Sequence, residues 1–344
     1  MQPSMEEWRE LYEAGIAFRD VAPWQWMWDS NVFGVQDPES GQIGYCCVMG
    51  QLGEHFALAA YDGSEGLAGL WQMREAGPRA QRDPMAVLVL QQCLMASFED
   101  RTMLHKGDLE TIKALGLKFR GRSVWPQFRG YRPGYAPWFL TAPEARFLTV
   151  CLRQGLDVGE RFRQNPKLLP DPEPDPRGRY LVRVPEKRGD EWVWKDTIQR
   201  PAPVPPPQVA PPPLDEARLK RLRELPAARG VLQMDYFYTG ATIKEAEDER
   251  PWYPQILLAA DATTGLILGT ELVRTDEVPA ALVKQLLDII ARMRQRPDRI
   301  EVRQEEARVI LKPAADRLGT RVIRVRRMPA VDSARRGLGD FLNR

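Results

Sequence analysis

Thirteen residues, 201–213 (PAPVPPPQVAPPP), include eight prolines, and no other feature limits the fold of this chain more strongly. A run of this kind favours extended polyproline II, makes no internal hydrogen bonds and cannot cross a packed core. It reads as a stiff spacer between two domains, and a PxxP-type docking sequence is its functional alternative. A second and more acidic proline cluster, residues 165–176 (NPKLLPDPEPDP), marks the end of the first domain. The expected organisation is an aromatic-rich α+β domain over 1–168 and a β-hairpin extension over 169–200. The linker follows at 201–213, and a helix plus an α/β domain fill 214–344.

Both halves have enough apolar material for cores. The chain has 344 residues, 43% hydrophobic and 28% charged, which is a globular mixture and not a disordered one. No run of about 18 uncharged apolar residues exists, so no membrane span is expected. The first residues (MQPSMEEW) lack a basic stretch followed by an apolar one, so no secretory signal is expected either. Cys46 and Cys47 are adjacent, Cys93 and Cys151 stand apart, and none forms a CxxC pair. Reduced thiols in a cytoplasm fit that usage. With only His55 and His105 in the chain, multi-histidine zinc sites are excluded and hydrolytic triads are disfavoured. The expected metal and cofactor content is none.

In the first domain, periodicity predicts a helix over 4–18, then alternating aromatic residues Trp24, Trp26 and Trp28 as a strand or packed ledge. Strands are expected over 31–35, 42–49 and 55–61, with a turn at Gly50–Gly53 that lacks the Gly-Lys-Ser/Thr ending of a phosphate loop. A helix should follow to about residue 75, and a second, buried helix is expected over 84–98 because that stretch is apolar nearly all round. Thr141-Ala-Pro-Glu144 is a capping-box sequence opening another helix. Residues 179–196 alternate about a polar turn as a hairpin, whose Trp192 and Trp194 face should dock on the first domain.

The second half opens with a charged helix over 214–225. Strands are then predicted over 231–243, 255–261 and 266–273, the middle one continuously apolar as a strand buried on both faces would be. Leu282, Leu286, Ile289, Ile290 and Met293 recur at helical spacing. A strand over 299–303, a helix over 305–318 kinked or split by Pro313, a strand over 321–327 and a helix over 331–342 complete the pattern. Gly319 is placed to cap the third-last element.

The order βββ-α-β-α-β-α resembles the ribonuclease-H-like fold. The segments QMDYFYT (233–239) and LLAADATTGLILG (257–269) resemble the opening strands of integrase and DDE transposase cores. The resemblance maps Asp235 onto the first metal-binding Asp of those domains and Asp261 onto an Asp that often ends their second strand. The whole chain also resembles an uncharacterised bacterial two-domain family, through DPESGQIGYCCVMGQLGE (37–54) and WPQFRGYRPGYAPW (125–138).

The acid set is incomplete. Two-metal chemistry needs several carboxylates converging on ions about 4 Å apart. The resemblance implies a second essential Asp at the end of the fourth strand, where this chain has Arg303. A guanidinium cannot ligate Mg²⁺ and repels it. Glu301 lies one strand period away on the same face, and Asp332 or Asp340 in the last helix could supply a third acid. Asp235 reads otherwise as a strand-end or turn carboxylate neutralised by Arg303, and Asp261 as a turn former beside Thr263 and Gly265. The remnant candidates are therefore Asp235, Asp261, Glu301 and Asp332, with Mg²⁺ required only if they act as a nuclease.

Net charge is only +2, yet from Arg292 to Arg327 twelve Lys/Arg stand against five Asp/Glu. That excess makes Arg303, Arg308, Arg321, Arg324, Arg326 and Arg327 candidates for phosphate-backbone contact. No aromatic residue lies between Tyr253 and Phe341, so base stacking is not expected. A charged, solvated edge strand is the bland reading of RVIRVRR. The favoured function is a non-catalytic interaction module with an unknown protein partner. Nucleic-acid binding comes second and a metal-dependent nuclease third.

Overall fold

A computed structural model describes residues 1–76, 85, 89–170, 178–189, 191–204, 210–246 and 249–342. The chain divides into two compact units, Met1–Val204 and Pro205–Arg344, with the break inside the proline run. Both units are mixed α/β, and each sheet combines parallel and antiparallel strands.

In the first unit, helix α1 (Met5–Val21) starts at Ser4, whose hydroxyl accepts from Glu7 N–H while the Glu7 carboxylate accepts from Ser4 N–H. Strands β1 (Phe33–Gln36), β2 (Ile43–Met49) and β3 (Ala57–Asp62) form an antiparallel meander leading to helix α2 (Gly63–Ala76). Strand β4 (Cys93–Glu99), helix α3 (Lys106–Ala114), strands β5 (Trp125–Arg132) and β6 (Tyr135–Trp138) and the long helix α4 (Ala142–Gln164) follow. The Thr141 and Glu144 capping box opens α4 as its sequence predicts. The hairpin β7 (Tyr180–Arg188) and β8 (Glu191–Gln199) completes an eight-stranded sheet in the order β6-β5-β4-β3-β2-β1-β7-β8.

Strand alternation distributes the core. Phe33, Cys46, Val48, Leu58 and Phe98 point to the face covered by α1 and α4, while Tyr45, Cys47, Ala59 and Met95 point to the face covered by α2. Adjacent Cys46 and Cys47 thus lie on opposite sides of one strand. All four cysteines are buried and free. Burial in apolar surroundings pushes the Cys47 thiol up to about 12.

Three expectations for this unit are corrected. Over the predicted helix 84–98, the structure has strand β4 from Cys93 onward; residues 84 and 86–88 lie outside the described residues. An all-apolar stretch suits a strand buried on both faces as well as a buried helix, and here antiparallel pairing with β3 and β5 decides for strand. Trp24 lies in a short 3₁₀ turn, Pro23–Gln25, and not in a strand. The hairpin joins the sheet edge to edge, β7 running parallel to β1 through Gly34↔Val182 and Val35↔Arg183, instead of docking by its Trp face alone.

In the second unit, helix α5 (Glu216–Arg223) precedes strands β9 (Ala227–Tyr238), β10 (Gln255–Asp261) and β11 (Ile267–Val273), which pair antiparallel in sequence order. Helix α6 (Val278–Met293), strand β12 (Arg296–Val302), helix α7 (Glu305–Leu318), strand β13 (Arg321–Arg324) and helix α8 (Pro329–Leu342) follow. The sheet order is β11-β10-β9-β12-β13, with β12 parallel to both β9 and β13. Leu232, Met234, Leu257, Ile300 and Val302 face a core shared with α5, α6 and α7. The other face carries a smaller cluster, Ile256, Leu258 and Ala260, under Met328, Ala330 and Val331 at the start of α8.

Two details differ from expectation. Strand β9 ends at Tyr238, and Ile243 makes only an isolated bridge to Trp252. Helix α7 runs through Pro313 as one element and is not split. Ala314, Ala315 and Leu318 beyond the proline are fully buried, and their burial, together with cap formation, offsets the lost hydrogen bond. Gly319 closes α7 with φ +70, a conformation that favours glycine, and its N–H is directed to the carbonyls of Ala315 and Asp316.

Candidate functional site

The polar residues of the second unit converge on one face of its sheet, beneath the start of α8. In β9, Leu232 and Met234 point to the main core, so Gln233 and Asp235 point the other way. Register places Glu301 of β12 beside Gln233, and Arg303, just past the end of β12, reaches the level of Asp235.

Asp235 is only 2% exposed and lies in the interior of β9, not at a strand end or turn. The Arg303 Nε lies 3.3 Å from its Oδ2, an ion pair whose geometry falls short of a hydrogen bond and leaves Nε unsatisfied. Oδ1 of Asp235 accepts the N–H of Tyr236 at 3.0 Å. Burial pushes the Asp235 carboxyl above the usual carboxylate range, and the Arg303 charge opposes that rise without overcoming it.

The far end of the same guanidinium donates through Nη2 to Asp332 Oδ1, in the first turn of α8. Asp332 also accepts the Met328 N–H through Oδ2 at 3.4 Å. One guanidinium therefore lies between two carboxylates, one from a central strand and one from a helix N-terminus.

Glu301 has other partners: it accepts from Gln233 Nε2 at 2.9 Å and from Arg299 Nε at 3.1 Å. Gln233 in turn accepts the N–H groups of Ala330 and Val331 at 3.1 and 3.4 Å, tying the first turn of α8 to the sheet. Asp261 is not brought to this cluster. It pairs with Leu232 in the ladder and points to the opposite face from Leu258 and Ala260. Its Oδ1 accepts from Thr264 N–H at 2.7 Å and Thr263 N–H at 3.0 Å, and these turn bonds hold its carboxyl below the usual range. The side chain of Asp340 lies outside the described residues. Among the described residues no three of His, Cys, Asp and Glu gather closely enough to hold a metal ion.

The arginines divide into two sets. Arg303 is engaged with the two aspartates, Arg308 with Glu305 and Arg321 with Asp298 at 3.0 Å. Arg324 donates to the Arg303 carbonyl at 3.1 Å. Arg326 and Arg327 are exposed and have no ion pair among the described residues. Arg303, Arg324, Val325 and Arg326 line an open depression beside the bridging guanidinium. Strand β13 is indeed at the sheet edge, though it ends at Arg324, so Arg326 and Arg327 lie beyond it.

The part of Gln233 is absent from the sequence reading. The available signal was the alternation itself, since Gln233 and Asp235 share one face of a strand whose other face is apolar. No helix of the described residues is long and apolar enough to cross a membrane.

No curated protein matches the chain. Residues 218–339 match a family model described as a domain of unknown function (DUF6930), a span that covers the bridged carboxylate site. Residues 8–183, just over half of the chain, match a second model described as a domain of unknown function (DUF7309), and the chain belongs to that family of unknown function.

Proposed function

We propose that residues 214–344 form a ribonuclease-H-like domain that has lost its metal chemistry, and that the protein is a non-catalytic interaction module. The strand order β11-β10-β9-β12-β13, with the first three strands antiparallel and the last two parallel to β9, supports the fold reading. The observation that carries the functional reading is Arg303 between Asp235 and Asp332. A cation held covalently by the chain takes the place that a divalent ion would need between two such acids. It neutralises them and repels a second cation. A bacterial cytoplasm, which keeps four buried thiols reduced, goes with this reading.

The test is a cleavage assay of the full chain with single-stranded, duplex and RNA–DNA hybrid oligonucleotides in Mg²⁺ and in Mn²⁺. No cleavage of any substrate is expected. Metal-dependent cleavage that Asp235→Asn abolishes would overturn the reading.

The exposed Arg326 and Arg327 and the depression beside Arg324 favour a second reading, binding of a nucleic-acid phosphate backbone. Its test is fluorescence anisotropy with the same oligonucleotides at about 50 and 200 mM salt. Binding that weakens steeply with salt and is lost in the Arg324→Glu/Arg326→Glu variant would put this reading first. No binding at the lower salt would remove it.

A further inference from the structure

The first unit carries a groove that the site in the second unit does not use. Its volume is about 370 Å³, and it lies between the N-terminal half of β8, helix α4 and helix α1. Trp192 and Trp194, two residues apart on β8, present their indoles from one strand face. Trp192 is 46% exposed, unusual for the largest apolar side chain, while Trp194 packs partly on the core beneath. Neither indole N–H has a hydrogen-bond partner among the described residues. Gln154 of α4 also lines the groove and is 9% exposed. Its Oε1 accepts from Arg183 at 3.0 Å, which leaves its Nε2 donors without a partner among the described residues.

The groove therefore offers flat aromatic surface and unspent N–H donors. Its rim is acidic: Glu7, Glu10, Asp37 and Glu39 against Arg146 and Arg153. Arg146 is already held between Glu7 and Glu39, and Arg153 bonds Glu10 at 3.1 Å. Such a surface suits a ligand with carbonyl acceptors, few N–H donors, apolar rings and a positive charge. A polyproline II segment flanked by arginine has all four properties, because proline lacks an N–H and its carbonyls project outward.

The chain contains one such segment, residues 200–213 (RPAPVPPPQVAPPP), with Arg200 as its only charge. Arg200 and residues 202–204 are exposed, and none of them lines the groove of their own molecule. We infer that the Trp192/Trp194 groove is a polyproline-binding site and that its occupant is the 200–213 segment of a second copy of this chain. Each copy supplies one groove and one segment, so reciprocal exchange closes a two-fold dimer. The positive Arg200 complements the acidic rim, and a chain in which eight of fourteen residues are proline has little conformational entropy to lose on docking.

The experiment has two arms. A fluorescently labelled peptide of residues 200–213 is titrated with the full chain by anisotropy, beside a control peptide with every proline changed to alanine. Sedimentation velocity is run on the full chain over a concentration series. The proline peptide is expected to bind and the alanine peptide to fail. Trp192→Ala should weaken binding about tenfold or more. Glu10→Arg, at a half-exposed position whose ion pair with Arg153 is open to solvent, should weaken it as well. Self-association should appear with concentration, and excess unlabelled peptide and Trp192→Ala should each reverse it. Peptide binding that ignores Trp192→Ala and Glu10→Arg, or no binding at all, overturns the site. Peptide binding with a chain that stays monomeric throughout overturns the second copy as its occupant.

Discussion

Arg303 Nε lies 3.3 Å from Asp235 Oδ2, pairing a guanidinium that is 35% exposed with a carboxylate that is 2% exposed. The two partners therefore feel different dielectric surroundings. The aspartate bears almost the whole cost of desolvation, while the arginine keeps part of its hydration and a second carboxylate, Asp332.

Removing the cation should be costly for that reason. Arg303→Met leaves Asp235 buried without its neutralising partner, and the expected loss is about 2–3 kcal/mol, at the low end because solvent already screens the arginine. The double variant Arg303→Met/Asp235→Asn should recover most of it. Urea unfolding of the wild type, both single variants and the double variant measures the coupling. A double-variant loss equal to the sum of the two single-variant losses would mean that the pair is not coupled.

Asp235 also predicts a pH dependence. Its folded-state pKa is raised above the ordinary 3.8, so the folded protein binds this proton more tightly than the unfolded chain does. Stability from this group is complete below 3.8 and is lost as pH rises through the raised value. Asp235→Asn removes that loss. The difference in unfolding free energy, wild type minus Asp235→Asn, should fall from acidic to neutral pH and then level off. A difference that rises with pH would contradict the desolvated carboxylate.

The bridged geometry can be turned into a metal test. Arg303→Asp would place a third carboxylate beside Asp235 and Asp332 in place of the positive charge. Mn²⁺ binding by isothermal titration should appear in this variant and be undetectable in the wild type. Equal binding in both would show that the guanidinium does not control cation access.

In the first unit, Arg129 and Asp108 form the most buried ion pair among the described residues, with side chains 6% and 7% exposed. Arg129 donates to Asp108 at 2.9 Å, and its guanidinium lies 4.5 Å from the Phe139 ring centre. Arg129→Ala should destabilise this unit by about 3–5 kcal/mol, since it leaves a desolvated carboxylate alone. Thermal unfolding followed by circular dichroism checks this, and a loss under about 1 kcal/mol would show that solvent reaches Asp108.

Much of the second unit is legible in its sequence. Helix α7 starts and ends where its sequence predicts, and β10 and β11 lie where the apolar runs place them, while β9 is shifted four to five residues towards the N-terminus. Arg303 and Asp235 could be suspected as neighbours from strand order. The sequence left Asp332 and Asp340 both open as a third acid, and only the seating of α8 on the sheet brings Asp332 to the guanidinium. The first unit was harder to read. Cys93–Glu99 is apolar on both faces, so neither period stands out, and only its pairing with β3 and β5 makes it a strand.

The sequence by itself determined the local features. These are the break at the proline run, the order of strands and helices in the second unit, the capping of α4 and the guanidinium at position 303. Each follows from residues within a few positions of one another, through fixed φ, strand and helix periods or capping hydrogen bonds. Tertiary structure alone decided the parallel seating of β7 on β1, the removal of Asp261 from the carboxylate cluster, and the sharing of Arg303 by Asp235 and Asp332. Those outcomes depend on register and on contacts between segments far apart in the chain. Local periodicity does not encode them, because each segment's pattern permits several partners and the packed core selects one.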